Sequence, residues 1–217
     1  MTRPERSIGL PGALSLLDAA TPVHGAAPAG RRTRAGILLL NELIKCPRRV
    51  GSVCPSSRFL ARQMAATIDV NANANGLIVE LGGGTGIITE SLLRHGVTAE
   101  RLIVIEQSAR MAQHLARRFP RICVVHGDAA SVAAMLAQAG AVAAVISSLP
   151  LRSLPKDVVS EIAASWVRVL QRGARVAQFT YAPFRSSAWL RAGLQRTSSV
   201  TVWANLPPAR VEVFRQP

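Results

Sequence analysis

The amino-acid sequence predicts a single α/β domain built on a mostly parallel β-sheet with crossover helices. The first observation is rhythm: from Leu77 onward, short apolar runs alternate with longer segments of helical periodicity, a pattern typical of such sheets. The second is size, since 217 residues suit one domain of this kind with an extension. The third is composition: 49% hydrophobic and 18% charged residues are enough for a packed interior. We therefore expect a globular protein.

Seven strands and four helices follow from this rhythm. The predicted parallel strands are Leu77–Leu81, Leu102–Ile105, Cys123–His126, Ala141–Ile146 and Val176–Thr180. The predicted helices between them are Gly86–His95, Ser108–Phe119, Ser131–Gln138 and Asp157–Leu170. The last two strands, Val200–Ala204 and Arg210–Phe214, flank a proline-rich turn, which predicts a terminal hairpin.

The part of the chain before this pattern divides into two segments. Residues 1–30 contain four prolines and several Gly and Ala residues, a composition that orders poorly unless it docks onto something. Residues 31–70 are predicted to be a basic, amphipathic helical extension, because arginines precede the apolar run Ile37–Ile44. This helix either packs on the core or lies in a lipid interface. Residues 71–217 are expected to form the main α/β domain.

The charge of the chain points to a polyanionic partner. A formal net charge of +14 attracts nucleic acid or an anionic bilayer. Only 4% of the residues are aromatic, so stacking platforms for bases are scarce and the membrane is favoured. No apolar run approaches the ~20 residues of a spanning helix, so the predicted membrane contact is peripheral.

The cysteines and the N-terminal residues favour the cytoplasm, at the inner face of the membrane. Cys46, Cys54 and Cys123 are odd in number and lack the spacing of a disulfide framework or a zinc site, so no metal is predicted. A weak signal-peptide pattern near the N-terminus is interrupted by Pro11 and Asp18.

A glycine-rich loop carries the predicted cofactor site. The loop contains Gly82, Gly83, Gly84, Thr85 and Gly86 and joins an apolar strand ending in Glu80-Leu81 to a helix. Missing side chains let such a backbone turn sharply and touch a ligand. The spacing G-x-G-x-G is shorter than the G-x-G-x-x-G that accommodates a pyrophosphate, so a cofactor without phosphates is expected.

Two acids end the following strands. Glu106 lies about 20 residues beyond the loop, where a carboxylate can accept both ribose hydroxyls. Asp128 ends the third strand, where a carboxylate can accept an adenine amino group. Glu80, Glu106 and Asp128 together predict recognition of an adenosine-containing cofactor.

With these residues the chain resembles the class I S-adenosylmethionine-dependent methyltransferases, from about Gly51 to the C-terminus. The resemblance implies a Rossmann-like, seven-stranded sheet with a C-terminal antiparallel hairpin and helices on both faces. It also implies that S-adenosylmethionine is bound and S-adenosylhomocysteine released, with Gly82, Gly84 and Gly86 lining the methionine part. The full predicted cofactor set is Ser52, Val53, Glu80, Gly82, Gly83, Gly84, Thr85, Gly86, Glu106, Gln107, Gly127, Asp128, Ala129 and Ser147.

Four further segments resemble bacterial phospholipid N-methyltransferases, a family similar to the rRNA adenine dimethylases. The segments run over residues 51–57, 147–151, 178–183 and 205–209. The resemblance implies methylation of phosphatidylethanolamine toward phosphatidylcholine, with an ornithine lipid or an rRNA adenine as alternative acceptors. A peripheral membrane protein that keeps the fold without the activity is a further alternative.

The resemblance places the acceptor amine beside Ser148, Leu149 and Pro150, which follow the fourth strand. An rRNA adenine dimethylase would show Asn-Leu-Pro followed by an aromatic residue, whereas here Leu151 follows Pro150, which disfavours base methylation. Tyr181 either lines the acceptor site or belongs to the core.

Other side chains have open roles. His95, His126 and Tyr181 are candidate proton acceptors, although the histidines more often serve packing. Trp189, with its neighbours Leu190 and Arg191, forms either a second lipid-facing patch or an insertion packed on the sheet edge.

Overall fold

The computed structural model describes residues 57–71, 76–136, 142–181 and 186–217. Ser52, Val53 and the predicted helix of residues 31–45 lie outside the described residues. The described part contains a seven-stranded sheet with the order β3-β2-β1-β4-β5-β7-β6. The strands are β1 (Leu77–Leu81), β2 (Leu102–Glu106), β3 (Cys123–His126), β4 (Val142–Ser147), β5 (Leu170–Thr180), β6 (Gln195–Val202) and β7 (Ala209–Arg215).

The direction of the strands confirms the predicted architecture. Strands β1 to β5 are all parallel to one another, so their carboxyl ends lie at one edge of the sheet. Strand β7 is antiparallel to both β5 and β6 and lies between them. The predicted hairpin is present, and its second strand is the one that joins the parallel part.

Helices cover both faces of the sheet. They are α1 (Arg58–Ala65), α2 (Ile87–Arg94), α3 (Ala109–Arg118), α4 (Ala129–Leu136), α5 (Lys156–Val169) and α6 (Ala188–Arg191), and a 3-10 turn spans Ala99–Arg101. Helices α1, α2 and α3 share one buried cluster with Ile78 and Val104 of the sheet. Helices α4, α5 and α6 share the other with Val79 and Val145. Strands β1, β2 and β4 are buried at every position, which explains their continuous apolar runs.

Helix α1 lies within the range predicted to be the N-terminal extension. Ser57 caps it, accepting a hydrogen bond from the Leu60 amide at 3.1 Å. Leu60 and Met64 are fully buried in the cluster with α2 and the sheet. The segment 57–65 therefore contributes to the same hydrophobic core as α2 and the sheet.

The largest difference from the predicted elements is the start of β5. The prediction began this strand at Val176, but the strand begins at Leu170, directly after α5. Leu170 pairs with Val142, and Gly173 adopts a positive φ of 78° inside the strand. The pair Arg172-Gly173 is a turn signal locally, and pairing with β4 overrides it.

Trp189 settles the choice left open for its segment. It is fully buried, so it packs into the core and does not face lipid. Across the described part of the chain, no helix is both long and apolar enough to cross a bilayer.

Candidate active site

The candidate site lies at the switch point of the sheet, between β1 and β4. From β1 the chain adds β2 and β3 on one side and then crosses over to form β4 on the other side of β1. Ligands bind at such points, outside the carboxyl ends of the strands. The amide of Gly82 donates to the Ile105 carbonyl at 2.8 Å, and the amide of Ser148 donates to the Leu81 carbonyl at 2.8 Å. These bonds hold the glycine loop and the turn after β4 side by side.

The glycines of the loop divide into packing and open positions. A Cβ atom on Gly83 would lie 2.4 Å from Cγ1 of Val104 and 2.7 Å from Cδ1 of Leu115, so this glycine lets α3 approach the loop. Gly86 serves the same packing, since its Cβ would lie 2.6 Å from the Phe119 ring. At Gly84 the nearest atom would be 3.9 Å away, so this position borders open space.

The loop is held from outside by α3. Arg118 of α3 donates to the Thr85 carbonyl at 2.6 Å and pairs with Glu90. Thr85 itself is exposed. Sequence reasoning included Thr85 in the site but missed the packing partners on α3, because contacts between distant segments leave no local signal.

Glu80 is the most perturbed acid of the site. It is fully buried, and its Oε2 accepts a 2.7 Å hydrogen bond from the Thr89 hydroxyl of α2. Its Oε1 has no hydrogen-bond partner within the described residues. Burial raises the pKa of Glu80 from 4.5 to about 8, and the nearby Glu106 carboxylate adds to the rise. A cation beside Oε1 would stabilise the ionised form.

Glu106 ends β2 and binds the loop directly. Its two carboxylate oxygens accept 2.8 Å hydrogen bonds from the amides of Gly84 and Ser108. The residue is 4% exposed. The Glu106 carboxylate thus lies against the glycine loop. Its neighbour Gln107 is half-buried, and the Gln107 carbonyl lies 3.2 Å from the His126 ring.

Asp128 has a structural role that sequence reasoning missed. Its Oδ1 accepts hydrogen bonds from the amides of Ala130 at 2.9 Å and Ser131 at 3.1 Å, so it caps α4. The preceding Gly127 donates its amide to the Glu106 carbonyl at 3.1 Å. Ala129 accepts a hydrogen bond from the buried Trp166. Asp128 is thereby oriented at the end of β3, next to the end of β2.

The turn after β4 combines buried hydroxyls with a fixed backbone. The hydroxyl oxygens of Ser147 and Ser148 are buried and have no hydrogen-bond partner among the residues described. The carbonyl of Leu149 accepts a 3.2 Å hydrogen bond from the buried Gln178, whose side-chain oxygen in turn accepts from Trp189 at 3.5 Å. Gln178 and Trp189 therefore hold the turn, a role that their sequence positions alone did not reveal.

Tyr181 is half-buried beside Phe179, with ring centroids 5.6 Å apart. Its hydroxyl accepts a 3.4 Å hydrogen bond from Asn205. Asn205, which is 3% exposed, also accepts from the Ser57 amide at 3.0 Å and donates to the Pro207 carbonyl at 2.7 Å. Asn205 thus joins three segments at the carboxyl edge of the sheet.

The two candidate histidines occupy different regions. His126 is exposed at the end of β3, on the candidate-site edge. His95 follows the last residue of α2, and its ring lies 3.0 Å from the Ile68 carbonyl. Because α2 begins at the glycine loop and runs away from it, His95 lies remote from the site. Within the described ranges, no group of His, Cys, Asp and Glu side chains could hold a metal ion.

The residues present fit an adenosine sulfonium. The unpartnered oxygen of Glu80 and the second acid, Glu106, suit a ligand that offers cationic groups and hydroxyls. The open space beside Gly84 leaves room for it along the loop.

Comparisons with known proteins agree with this fit. The family described as a methyltransferase domain matches residues 78–173. The ornithine lipid N-methyltransferase of Singulisphaera acidiphila is 32% identical over 177 residues, which cover 79% of this chain and 91% of that protein.

Solved structures share the fold at low sequence identity. The 1,6-didemethyltoxoflavin-N1-methyltransferase of Burkholderia thailandensis, solved with S-adenosylhomocysteine, is 16% identical with a TM-score of 0.60, covering 88% of this chain and 92% of that one. The N-methyltransferase NodS of Bradyrhizobium japonicum, also with S-adenosylhomocysteine, is 17% identical with a TM-score of 0.54, covering 84% and 98%. By its sequence relationship and its fold, this chain belongs to the class I S-adenosylmethionine-dependent methyltransferase family, and its cofactor is S-adenosylmethionine.

Proposed function

We propose that this enzyme transfers a methyl group to the primary amine of a membrane lipid at an anionic membrane surface. The observation that carries the proposal is the relative from Singulisphaera acidiphila, because the identity of 32% extends over 91% of that protein and so includes more than the cofactor fold. The net charge of +14 supports the location, since a basic protein concentrates at anionic bilayers.

The acceptor is assigned first to an ornithine lipid, following the name of that relative. Phosphatidylethanolamine, which the sequence resemblance favoured, is the second candidate. Both lipids present an aliphatic primary amine on a headgroup, and an rRNA adenine presents an aromatic one. Leu151 after Pro150 supplies no ring to stack on a base, which supports the lipid acceptors.

The cofactor side of the site is assigned to the glycine loop and to three acids. S-adenosylmethionine, when bound, supplies an electrophilic methyl group on a sulfonium. Gly84 leaves its part of the loop surface free of a side chain, Gly82 lets Leu149 approach the loop, and Glu80 offers a buried carboxylate oxygen to a cationic group. Glu106 is assigned to the ribose hydroxyls. Asp128, which caps α4, is assigned to the adenine amino group.

The acceptor side is assigned to the turn after β4 and to Tyr181. The buried hydroxyl of Ser148 can hydrogen-bond an amine, and the bond from Gln178 to the Leu149 carbonyl keeps the turn in place. Leu149 and Pro150 exclude water from the reacting amine. The main task of these residues is to position the reactants, because holding the amine in line with the methyl group lowers the activation barrier without a strong base. The ammonium form loses its proton to water before the amine is enclosed, because His126, at the end of β3, lies three strands away from the turn after β4.

The proposal is tested by incubating purified protein with methyl-labelled S-adenosylmethionine and three acceptors. These are vesicles with an ornithine lipid, vesicles with phosphatidylethanolamine, and bacterial ribosomal RNA. Label in the ornithine lipid, with release of S-adenosylhomocysteine, is the expected result. A Glu106→Ala variant serves as the cofactor-deficient control.

Each alternative outcome has a definite meaning. Label only in phosphatidylethanolamine would change the acceptor within the proposed class. Label only in RNA would refute the lipid assignment. Cofactor binding without product in any acceptor would favour the non-enzymatic alternative.

A further inference from the structure

Three large apolar side chains are exposed at one end of the molecule. Trp203 and Leu206 lie in the turn between β6 and β7 and are 78% and 82% exposed, and Phe59 at the start of α1 is 57% exposed. Water contact with this much apolar surface is unfavourable, so a cluster of such side chains marks an interaction site. We call these three residues the apolar tip.

The apolar tip lies at the edge of the sheet that carries the candidate site. Thr180 pairs with Arg210, so the turn before β7 reaches the same edge as the carboxyl end of β5. Asn205, inside that turn, hydrogen-bonds both the Tyr181 hydroxyl and the amide of Ser57, which precedes Phe59. The tip is therefore continuous with the residues assigned to the acceptor side.

The surroundings of the apolar tip are cationic. Arg58 and Arg62 are exposed on α1, and no Asp or Glu occurs within residues 57–68 or 195–211. A shallow groove beside the tip is lined by Phe59, Arg62, Gln63 and Ala66 on α1 and by residues 201–204 of the hairpin. Tryptophan, leucine and arginine together suit the headgroup zone, where a ring is partly buried and a guanidinium meets lipid phosphate.

We propose that the apolar tip, with Arg58 and Arg62, is the surface by which this enzyme docks on an anionic bilayer. This inference rests on the proposed lipid acceptor, because docking here sets the acceptor edge against the headgroups. The positive charge favours an anionic bilayer over two other occupants of this surface, a second copy of the protein and the part of the chain before α1. A second copy would bring the same arginines together, and the chain before α1 carries further arginines at positions 31, 32, 34, 48 and 49.

Tryptophan fluorescence gives a direct test. The sequence contains three tryptophans, and Trp166 and Trp189 are fully buried, so the exposed Trp203 reports the tip. The full chain is titrated with neutral phosphatidylcholine vesicles and with vesicles containing phosphatidylglycerol. The expected result is a blue shift with the anionic vesicles, and quenching when their acyl chains carry bromine.

Matched variants assign the effect to this surface. The double variant Trp203→Ala/Leu206→Ala should bind anionic vesicles at least about tenfold more weakly in co-sedimentation, since two apolar side chains no longer enter the interface. The double variant Arg58→Gln/Arg62→Gln should bind anionic vesicles more weakly, and its binding should depend less on salt concentration. Arg94→Gln/Arg121→Gln removes the same charge on other exposed arginines and should change binding little.

Several results would overturn the docking surface. One is unchanged binding of the Trp203→Ala/Leu206→Ala variant while wild-type protein binds. Another is Trp203 emission that is blue-shifted and shielded from iodide before any vesicle is added, which would mean that a segment of the chain or a second copy covers the tip. A dimer that dissociates in the variant would assign the tip to self-association.

Activity separates this inference from the proposed function. Wild-type protein that docks through the tip but forms no methylated lipid would refute the function and leave the docking surface standing. Methylated lipid formed equally well on vesicles by wild type and by the Trp203→Ala/Leu206→Ala variant would refute the docking surface alone. The expected result is a variant that fails on vesicles and retains activity on lipid dispersed in detergent.

Discussion

Glu80→Gln is the substitution whose effect on stability the structure predicts in most detail. Gln keeps the shape of the side chain and its acceptor for the Thr89 hydroxyl, and it removes only the ionisation. In the folded protein burial holds the pKa of Glu80 at about 8, against 4.5 when it is solvated. The folded state therefore retains a proton that the unfolded state releases, so the free energy of unfolding falls as pH rises from 4.5 to 8.

The size of the effect follows from linkage. Each pH unit in the middle of this window costs about 1.4 kcal/mol and less near either pKa, so wild-type protein should lose about 3.5 kcal/mol from this group between pH 5 and pH 8. Glu80→Gln should not show this loss, and its advantage over wild type should grow by that amount. Urea unfolding of the cofactor-free proteins at several pH values measures it. Glu161→Gln, a substitution of an exposed acid on α5, serves as the control.

Cofactor binding gives a second readout of the same carboxyl group. At pH 7 a group with a pKa near 8 is about 90% protonated, so ionising it against a cationic ligand should release about 0.9 proton. Titration calorimetry in buffers of different ionisation enthalpy counts that proton. A free-energy difference between wild type and Glu80→Gln that stays flat from pH 5 to pH 8 would refute the buried-acid argument.

Three further pairs of substitutions test the packing, hydrogen-bonding and ligand-binding roles of these residues. Gly83→Ala should cost about 2 kcal/mol of stability in urea unfolding, because the new methyl group overpacks the contact with α3. Gly84→Ala should cost about 1 kcal/mol and weaken cofactor binding at least about tenfold. Equal effects of the two substitutions would contradict the division of the loop into packing and open positions. Asn205→Ala should cost about 2 kcal/mol because buried hydrogen bonds are lost, and Tyr181→Phe, which loses one long bond, under about 0.5 kcal/mol in the same assay. Asp128→Ala should cost about 1 kcal/mol of stability, because the helix cap is lost. Asp128→Asn should keep the stability and lower only the cofactor affinity in calorimetry. If Asp128 only capped the helix, Asp128→Asn would leave the cofactor affinity unchanged.

The sequence was most informative where local signals decide the structure. The apolar runs at Leu77 and Leu102 predicted strands because a strand buried on both faces needs continuous hydrophobicity. The loop Gly82–Gly86 was recognisable because its backbone needs residues without side chains. The start of β5 was not predictable, since Leu170 and Gly173 join the strand only by pairing with β4. Helix α6 is short, and its burial depends on contacts with distant segments.

The sequence by itself determined the fold class and the predicted cofactor, because hydrophobic periodicity and the glycine loop are local patterns and the two acids each end a strand that this periodicity predicts. Only the tertiary structure decided that Trp189 and Gln178 support the turn at Leu149, that Asn205 ties the hairpin to Ser57, and that burial raises the pKa of Glu80. The reason is physical. Burial, electrostatic environment and contacts between segments far apart in the chain arise only when the packed core brings those segments together.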